Sequence, residues 1–239
     1  MARPANDLEM YDDYADRWWS GEATWLRTLH AMVPARLRFF DRIVGDWRDE
    51  SVLDLGCGGG FMAEAMAKKG AQVTGLDPAR DALAAARRHA EQAGLEIDYR
   101  EGRGEALPFD DGAFDIVLSC DALEHVEDLE KVLDEVARVV KPNGLFLFDT
   151  INRNPVASLV AVTMAERVLR MLPRGTHDPD LFIRPADLRR GLERRGFEVG
   201  RFQGLGPTGV NRQGDLTFGL VPTTAVNYLG SAKKRRAAR

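Results

Sequence analysis

Apolar positions group along this chain in two ways: short runs of strand length and longer mixed segments with helical character. Val52–Leu55, Val73–Leu76, Ile97–Arg100, Phe114–Ser119 and Leu145–Asp149 read as strands. Helices are predicted between them. One runs through Ala63–Lys69. A second is alanine- and arginine-rich, opens at Pro78 and reaches Ala93, with Gly94 placed as its C-cap. A third covers Leu129–Val140 and stops at Pro142-Asn-Gly144. Asp111-Gly112 marks a turn before the fourth strand. Alternating β and α units predict an α/β fold with a parallel, doubly wound sheet.

The flanks depart from this alternation. Residues 8–45 read as two helices carrying Trp18, Trp19, Trp25 and Arg36, a cap expected to pack over the sheet edge and close the site. Residues 153–184 read as an insertion. It holds an apolar stretch from Val156 to Leu172, followed by a loop rich in glycine, proline and histidine. A helix at Pro185–Arg195, a strand at Phe197–Phe202 and late strands near Leu216–Val221 complete the pattern. Strands after Gly196 are expected to form the antiparallel end of the sheet, within a single domain of 239 residues.

The first strand runs straight into Gly56-Cys-Gly-Gly-Gly60. Such a turn lets backbone approach a ligand where any side chain would block it. The second strand ends at Asp77, 21 positions after Gly56. That is where a β-α-β nucleotide site places its ribose-binding carboxylate. A ribose-bearing ligand is therefore expected. Gly58-x-Gly60-x-x-Ala63 satisfies a dinucleotide pattern, so a dinucleotide-dependent oxidoreductase is one reading. Asp54 favours another. A pyrophosphate prefers a helix N-terminus free of negative charge, whereas a carboxylate there suits a cationic ligand. Asp54-x-Gly56-x-Gly58-x-Gly60 resembles the glycine motif of class I S-adenosylmethionine-dependent methyltransferases.

Composition is that of a soluble globular chain, with 44% hydrophobic and 29% charged residues. A formal net charge of −4 gives no reason to expect a nucleic-acid partner. The basic Lys233-Lys-Arg-Arg236 end reads as a solvated, disordered tail. Two cysteines, Cys57 and Cys120, form no disulfide framework and suit a reducing cytosol. The N-terminus lacks the apolar core of a signal peptide, and no apolar run reaches membrane-spanning length.

Several segments together resemble the ubiquinone-biosynthesis O-methyltransferases. They are Ala15-Asp-Arg-Trp-Trp19, Val52–Gly60, Val73-Thr-Gly-Leu-Asp77, Leu123-Glu-His-Val126 and Thr150-Ile-Asn-Arg-Asn154. Leu169–Asp178, Phe182-Ile-Arg-Pro185 and Val226-Asn-Tyr228 extend the likeness over nearly the whole chain. The glycine motif is common to class I methyltransferases. Asn152-Arg-Asn154 and Arg174-Gly-Thr-His-Asp178 are far more specific. The resemblance implies a mostly parallel seven-stranded sheet, S-adenosylmethionine as cofactor, and a polyprenylated catechol or hydroquinone as acceptor. Two segments depart from the family pattern, Ser20–His30 and Val33-Pro-Ala-Arg36. They keep a soluble phenolic natural product open as an alternative acceptor. Asp121 stands where the family carries glutamate. A non-catalytic binding subunit of a quinone-biosynthesis assembly is a further alternative.

The candidate site residues each have a plainer role available. Asp77 is expected on the ribose hydroxyls, or as an N-cap with Pro78 following. The resemblance puts Arg36 near the cofactor carboxylate, though a surface arginine on an amphipathic helix looks the same. Cys120 is expected over the cofactor or as packing. Asp121, Glu124 and His125, at i, i+3 and i+4, would share a helix face and could grip a cation such as Mg²⁺. The same carboxylates could instead form a capping box. His125 and His177 are the candidate general bases. Val156–Leu172, with Arg167, Arg170 and Arg174 nearby, could be a core helix. It could also lie in the surface of a bilayer, a peripheral attachment on the inner face of the membrane.

Overall fold

The computed structural model describes residues 9–168 and 175–236. Five strands pair in parallel in the order β3-β2-β1-β4-β5: β1 Ser51–Leu55, β2 Gln72–Asp77, β3 Ile97–Glu101, β4 Phe114–Ser119 and β5 Val140–Ile151. The connecting helices are α3 Phe61–Ala67, α4 Arg80–Gln92 and α5 Leu129–Val139. Chain order reverses between β1 and β4, and ligands of doubly wound sheets bind at such a switch point.

The antiparallel end is larger than the sequence suggested. β9 (Asn227–Lys234) pairs with β5 from Leu145↔Lys233 to Ile151↔Asn227. β6 (Phe197–Val199) and β7 (Gln203–Val210) flank β9, and β8 (Leu216–Val221) pairs with β7. Among the described residues the sheet thus has nine strands rather than seven. Gly204, Gly206, Pro207 and Gly209 hide β7 from a propensity reading. β9 is disguised by its charged end. Lys233 and Lys234 are sheet residues, not a disordered tail, and Lys234 Nζ donates to the carbonyls of Ala137 (2.6 Å) and Val140 (2.7 Å).

Strand alternation splits the core across the sheet. Val52 faces one apolar cluster with α2 (Thr24–Val44), α3 and α4. Leu53 and Leu55 face the other, with α5 and α7 (Pro185–Arg194). Asp54 shares the face of Val52, so the register that builds the core also turns this carboxylate toward the cap side.

The N-terminal segment forms α1 (Glu9–Asp13), a short 3-10 turn (Ala15–Arg17) and α2. Trp18 lies flat against the glycine turn: a Cβ on Gly59 would fall 1.6 Å from its indole, and one on Gly58 2.6 Å. Trp19 donates to the Gly59 carbonyl (2.9 Å) and stacks on His89 of α4 at 3.6 Å. Asp12 of α1 accepts from the Asp81 amide (2.7 Å) in the first turn of α4. The tryptophan pair and the glycine turn are therefore one packed unit.

α6 (Pro155–Ser158) opens with Asn154 accepting from the Ala157 amide (3.0 Å) and continues into a π-helix, Leu159–Val168. Asn152 and Asn154 donate to the carbonyls of Thr224 and Ala225, both at 2.8 Å. The Asn-x-Asn motif thus ties this insertion to the approach of β9. Residues 169–172 of the apolar stretch, and Arg174, lie outside the described residues.

Candidate active site

A cavity of about 370 Å³ opens at the carboxyl ends of β1, β2 and β4. Its walls include Gly56, Gly58, Asp54, Asp77, Arg36 and His125. Cys120 and Asp121 also reach it. The fold thus gathers the predicted cofactor residues, and His125 with them, around one space.

Asp77 is held by the chain it serves. One oxygen accepts from the Gly58 amide (2.7 Å) and the other from the Ala79 amide (2.8 Å). Burial pushes this carboxyl up to about 6, against the pull of those two amides. The bond to Ala79 closes a local turn two residues on; the following helix starts at Arg80 with Ala79 as its N-cap, so Asp77 is not the N-cap and Pro78 is not the first helical residue. Asp54 is nearly fully buried, and its Oδ2 has no hydrogen-bond partner. Burial, with the charge of Asp77, raises Asp54 to about 7. An orphaned carboxylate oxygen beside a glycine turn is what a cationic donor group would satisfy. In this respect the residues fit S-adenosylmethionine, whose α-ammonium is such a donor.

Arg36 reaches the cavity from α2, but its guanidinium is bonded to Asp149 and Asp121. Asp149, fully buried on β5, also accepts from the Asp121 amide (2.8 Å). A cofactor carboxylate at Arg36 would share it with Asp121. The sequence reading missed Asp149, although an acid closing an apolar strand is the same signal that exposed Asp77.

The predicted metal trio is not assembled. Asp121 is not helical; it sits at φ 49°, outside a 3-10 turn that covers Leu123–His125. The three side chains therefore do not share a helix face, and the turn shows no capping box. Asp121 bonds Arg36, while Glu124 accepts from Thr150 Oγ1 (2.8 Å). Burial and the Asp121 charge push the Glu124 carboxyl well above the usual carboxylate range. Among the described residues no three His, Cys, Asp or Glu side chains are placed to hold one ion. The trio as it stands does not fit Mg²⁺.

His125 instead belongs to an imidazole pair. It stacks on His177 with ring centroids 5.4 Å apart and planes at 20°. Tyr11 Oη approaches His125 Nε2 at 3.5 Å. Burial, together with His177, lowers His125 to about 3, so it is neutral at physiological pH. His177 in turn meets Glu166 of the π-helix. Sequence reading missed this residue, although it is the single acid in the stretch 156–172.

The methyltransferase-domain family matches residues 53–148, the parallel half of the sheet. The ubiquinone biosynthesis O-methyltransferase of Bordetella pertussis is 39% identical over 229 residues, covering 95% of this chain and 93% of its own. That of Chromobacterium violaceum is 41% identical, covering 95% and 96%. The chain belongs to the ubiquinone biosynthesis O-methyltransferase family. As a member of that family, it is an S-adenosylmethionine-dependent O-methyltransferase. Among solved structures it resembles an S-adenosylmethionine-dependent methyltransferase of Thermotoga maritima. That likeness has a TM-score of 0.67 at 16% identity, covering 95% of this chain and 99% of the other. It also resembles the [4+2]-cyclase SpnF, with a TM-score of 0.68 at 18% identity, covering 99% and 98%. These two likenesses concern the fold alone. A cyclase among them illustrates why the family, rather than the fold, carries the activity.

Proposed function

We propose that this enzyme methylates a phenolic oxygen of a catechol or hydroquinone carrying a polyprenyl tail, an intermediate of quinone biosynthesis. The relatives' O-methylation of ubiquinone intermediates supports this acceptor class. The carrying observation is the cavity that joins the glycine turn to His125. When bound, S-adenosylmethionine supplies an electrophilic sulfonium methyl. The chain's part is to orient and deprotonate. Gly58 and Asp77 are preset for the ribose, and Asp54 for the ammonium. His125 lines that cavity and His177 stacks on it, which supports this pair as the group that takes the acceptor's proton. In-line transfer needs that oxygen about 3 Å from the methyl, on line with the sulfur.

A tailed acceptor lives in lipid, and one surface of the insertion supports contact with it. Val156, Leu159 and Val160 are 52%, 55% and 40% exposed. Ala157, Ala161 and Val162, from the same segment, are buried against Ile151 and Phe182. The segment thus has one apolar face in the protein and a second facing out, the geometry of a helix lying in a membrane surface. Among the described residues no helix is long and apolar enough to cross a bilayer.

The test is turnover of a panel of catechols and hydroquinones, with and without prenyl tails. Methyl transfer to a phenolic oxygen, faster with tailed acceptors, is the expected result. Equal turnover of untailed phenols would instead favour a soluble phenolic natural product.

A further inference from the structure

Glu166 is 2% exposed, and its carboxylate is fully engaged by one short loop. Oε1 accepts from the His177 amide (3.0 Å) and lies 3.0 Å from His177 Nδ1. Oε2 accepts from the Gly175 amide (2.9 Å). Burying a carboxylate costs several kcal/mol unless its partners offset that cost. The two loop amides take one oxygen each, and hydrogen bonds of this kind do not by themselves call for a charge. The third contact, to the imidazole, distinguishes this arrangement. The π-helix that carries Glu166 is a geometry often found at functional sites.

We infer that Glu166 is a positioning residue that holds His177 in its Nδ1–H tautomer and makes it the general base of the methyl transfer. A carboxylate on Nδ1 keeps the proton there and leaves the lone pair on Nε2. The phenolic proton of the acceptor passes to that Nε2. The oxygen's electron pair then forms the new bond to the methyl carbon, and the pair of the broken carbon–sulfur bond stays on sulfur. The proton leaves His177 to water after product departs. Glu166 offsets the imidazolium charge in the interval.

Other groups around His177 fit this assignment. His125 stacks on its face, Phe182 meets its edge at 5.9 Å, and Tyr11 lies beyond His125. The His177 side chain remains 10% exposed, so its ring is not sealed from a ligand. His177 carries the Glu166 carboxylate on its ring. His125 is the packing surface that fixes the ring plane.

This inference rests on the proposed O-methylation of a phenolic acceptor, and its test separates the two. In cofactor-free protein, ¹⁵N-correlated NMR of the His177 ring should show the Nδ1–H tautomer. That reading needs neither turnover nor a variant. Glu166→Gln removes the charge and keeps one acceptor oxygen, enough for one of the two loop amides. Its kcat should fall about 100-fold or more, the scale of general-base catalysis. Acceptor KM and S-adenosylhomocysteine affinity should stay within about twofold of wild type, and Glu166→Asp should recover part of kcat. An Nε2–H tautomer in the wild type would overturn the inference. So would a Glu166→Gln variant with unchanged kcat, or one altered only in KM. Wild-type enzyme that methylates no phenol would sink the acceptor proposal and leave the tautomer measurement standing.

Discussion

Asp54 and Asp77 lie on the paired strands β1 and β2 and line one cavity, and both are held above the ordinary carboxylate range by burial. In the proposed binding mode their charged forms accept from the ammonium and from the ribose hydroxyls. Asp54 ionises around pH 7 and Asp77 around pH 6, so binding should be complete above these values. It should weaken as pH falls through 7 and then 6. Calorimetric titration with S-adenosylhomocysteine from pH 8 to pH 5 reads this directly, with up to about tenfold loss per pH unit per linked proton. Asp54→Asn should flatten the upper part of the curve. Asp77→Ala should weaken binding by roughly 1–3 kcal/mol at pH 8, the scale of hydrogen bonds to a charged group. An unchanged affinity in that variant would remove Asp77 from the ribose site. Asp54 and Asp77 were legible because their spacing to the glycines is set by a local β-turn-α geometry. Asp149 and Glu166 were not, because their partners lie 113 and 11 residues away in the chain.

At the scale of elements, two segments changed meaning on folding. Asp121–His125 looked helical by spacing, but the chain leaves β4 through a residue at positive φ and makes only one 3-10 turn. Asp149 bonds the Asp121 amide and, with Asp121, the Arg36 guanidinium, and that draws the turn open. The apolar stretch from Val156 could have been core or membrane face, and its described part has both a buried apolar side and an exposed one. If its outer face binds lipid, Val156→Glu with Leu159→Glu should abolish flotation with anionic liposomes. Each charge placed in an apolar interface carries a cost of a few kcal/mol. Both residues are exposed, so thermal stability and S-adenosylhomocysteine binding should stay near wild type. Flotation that survives the double substitution would assign this face another task.

For the whole molecule, β9 is the keystone of the antiparallel end. It pairs with β5, β6 and β7, and Tyr228 on it is fully buried with its hydroxyl donating to the Ile183 carbonyl at 3.1 Å. Deleting residues 227–239 would expose one edge of β5 and unroof the core on the α5–α7 side. That variant should lose its cooperative thermal transition in circular dichroism. Tyr228→Phe, which loses the one hydrogen bond, should cost about 1 kcal/mol in a denaturant titration. A truncated chain that still unfolds cooperatively would show the parallel half to be self-sufficient.

Local rules written in consecutive residues fixed the parallel half: strand runs, a glycine turn after β1, an acid after β2, Gly94 closing α4. Those signals need only short-range sterics and the periodicity of burial, so they survive in one dimension. Tertiary structure decided the rest. Only the register of β9 against β5 could turn a basic tail into a central strand. Only the approach of α2 to β5 could commit Arg36 to Asp149. Only the folding of the insertion over the sheet edge could bring Glu166, His177 and His125 together. Each of these outcomes depends on pairing between residues distant in sequence, where propensity is weak and burial elsewhere sets the partner.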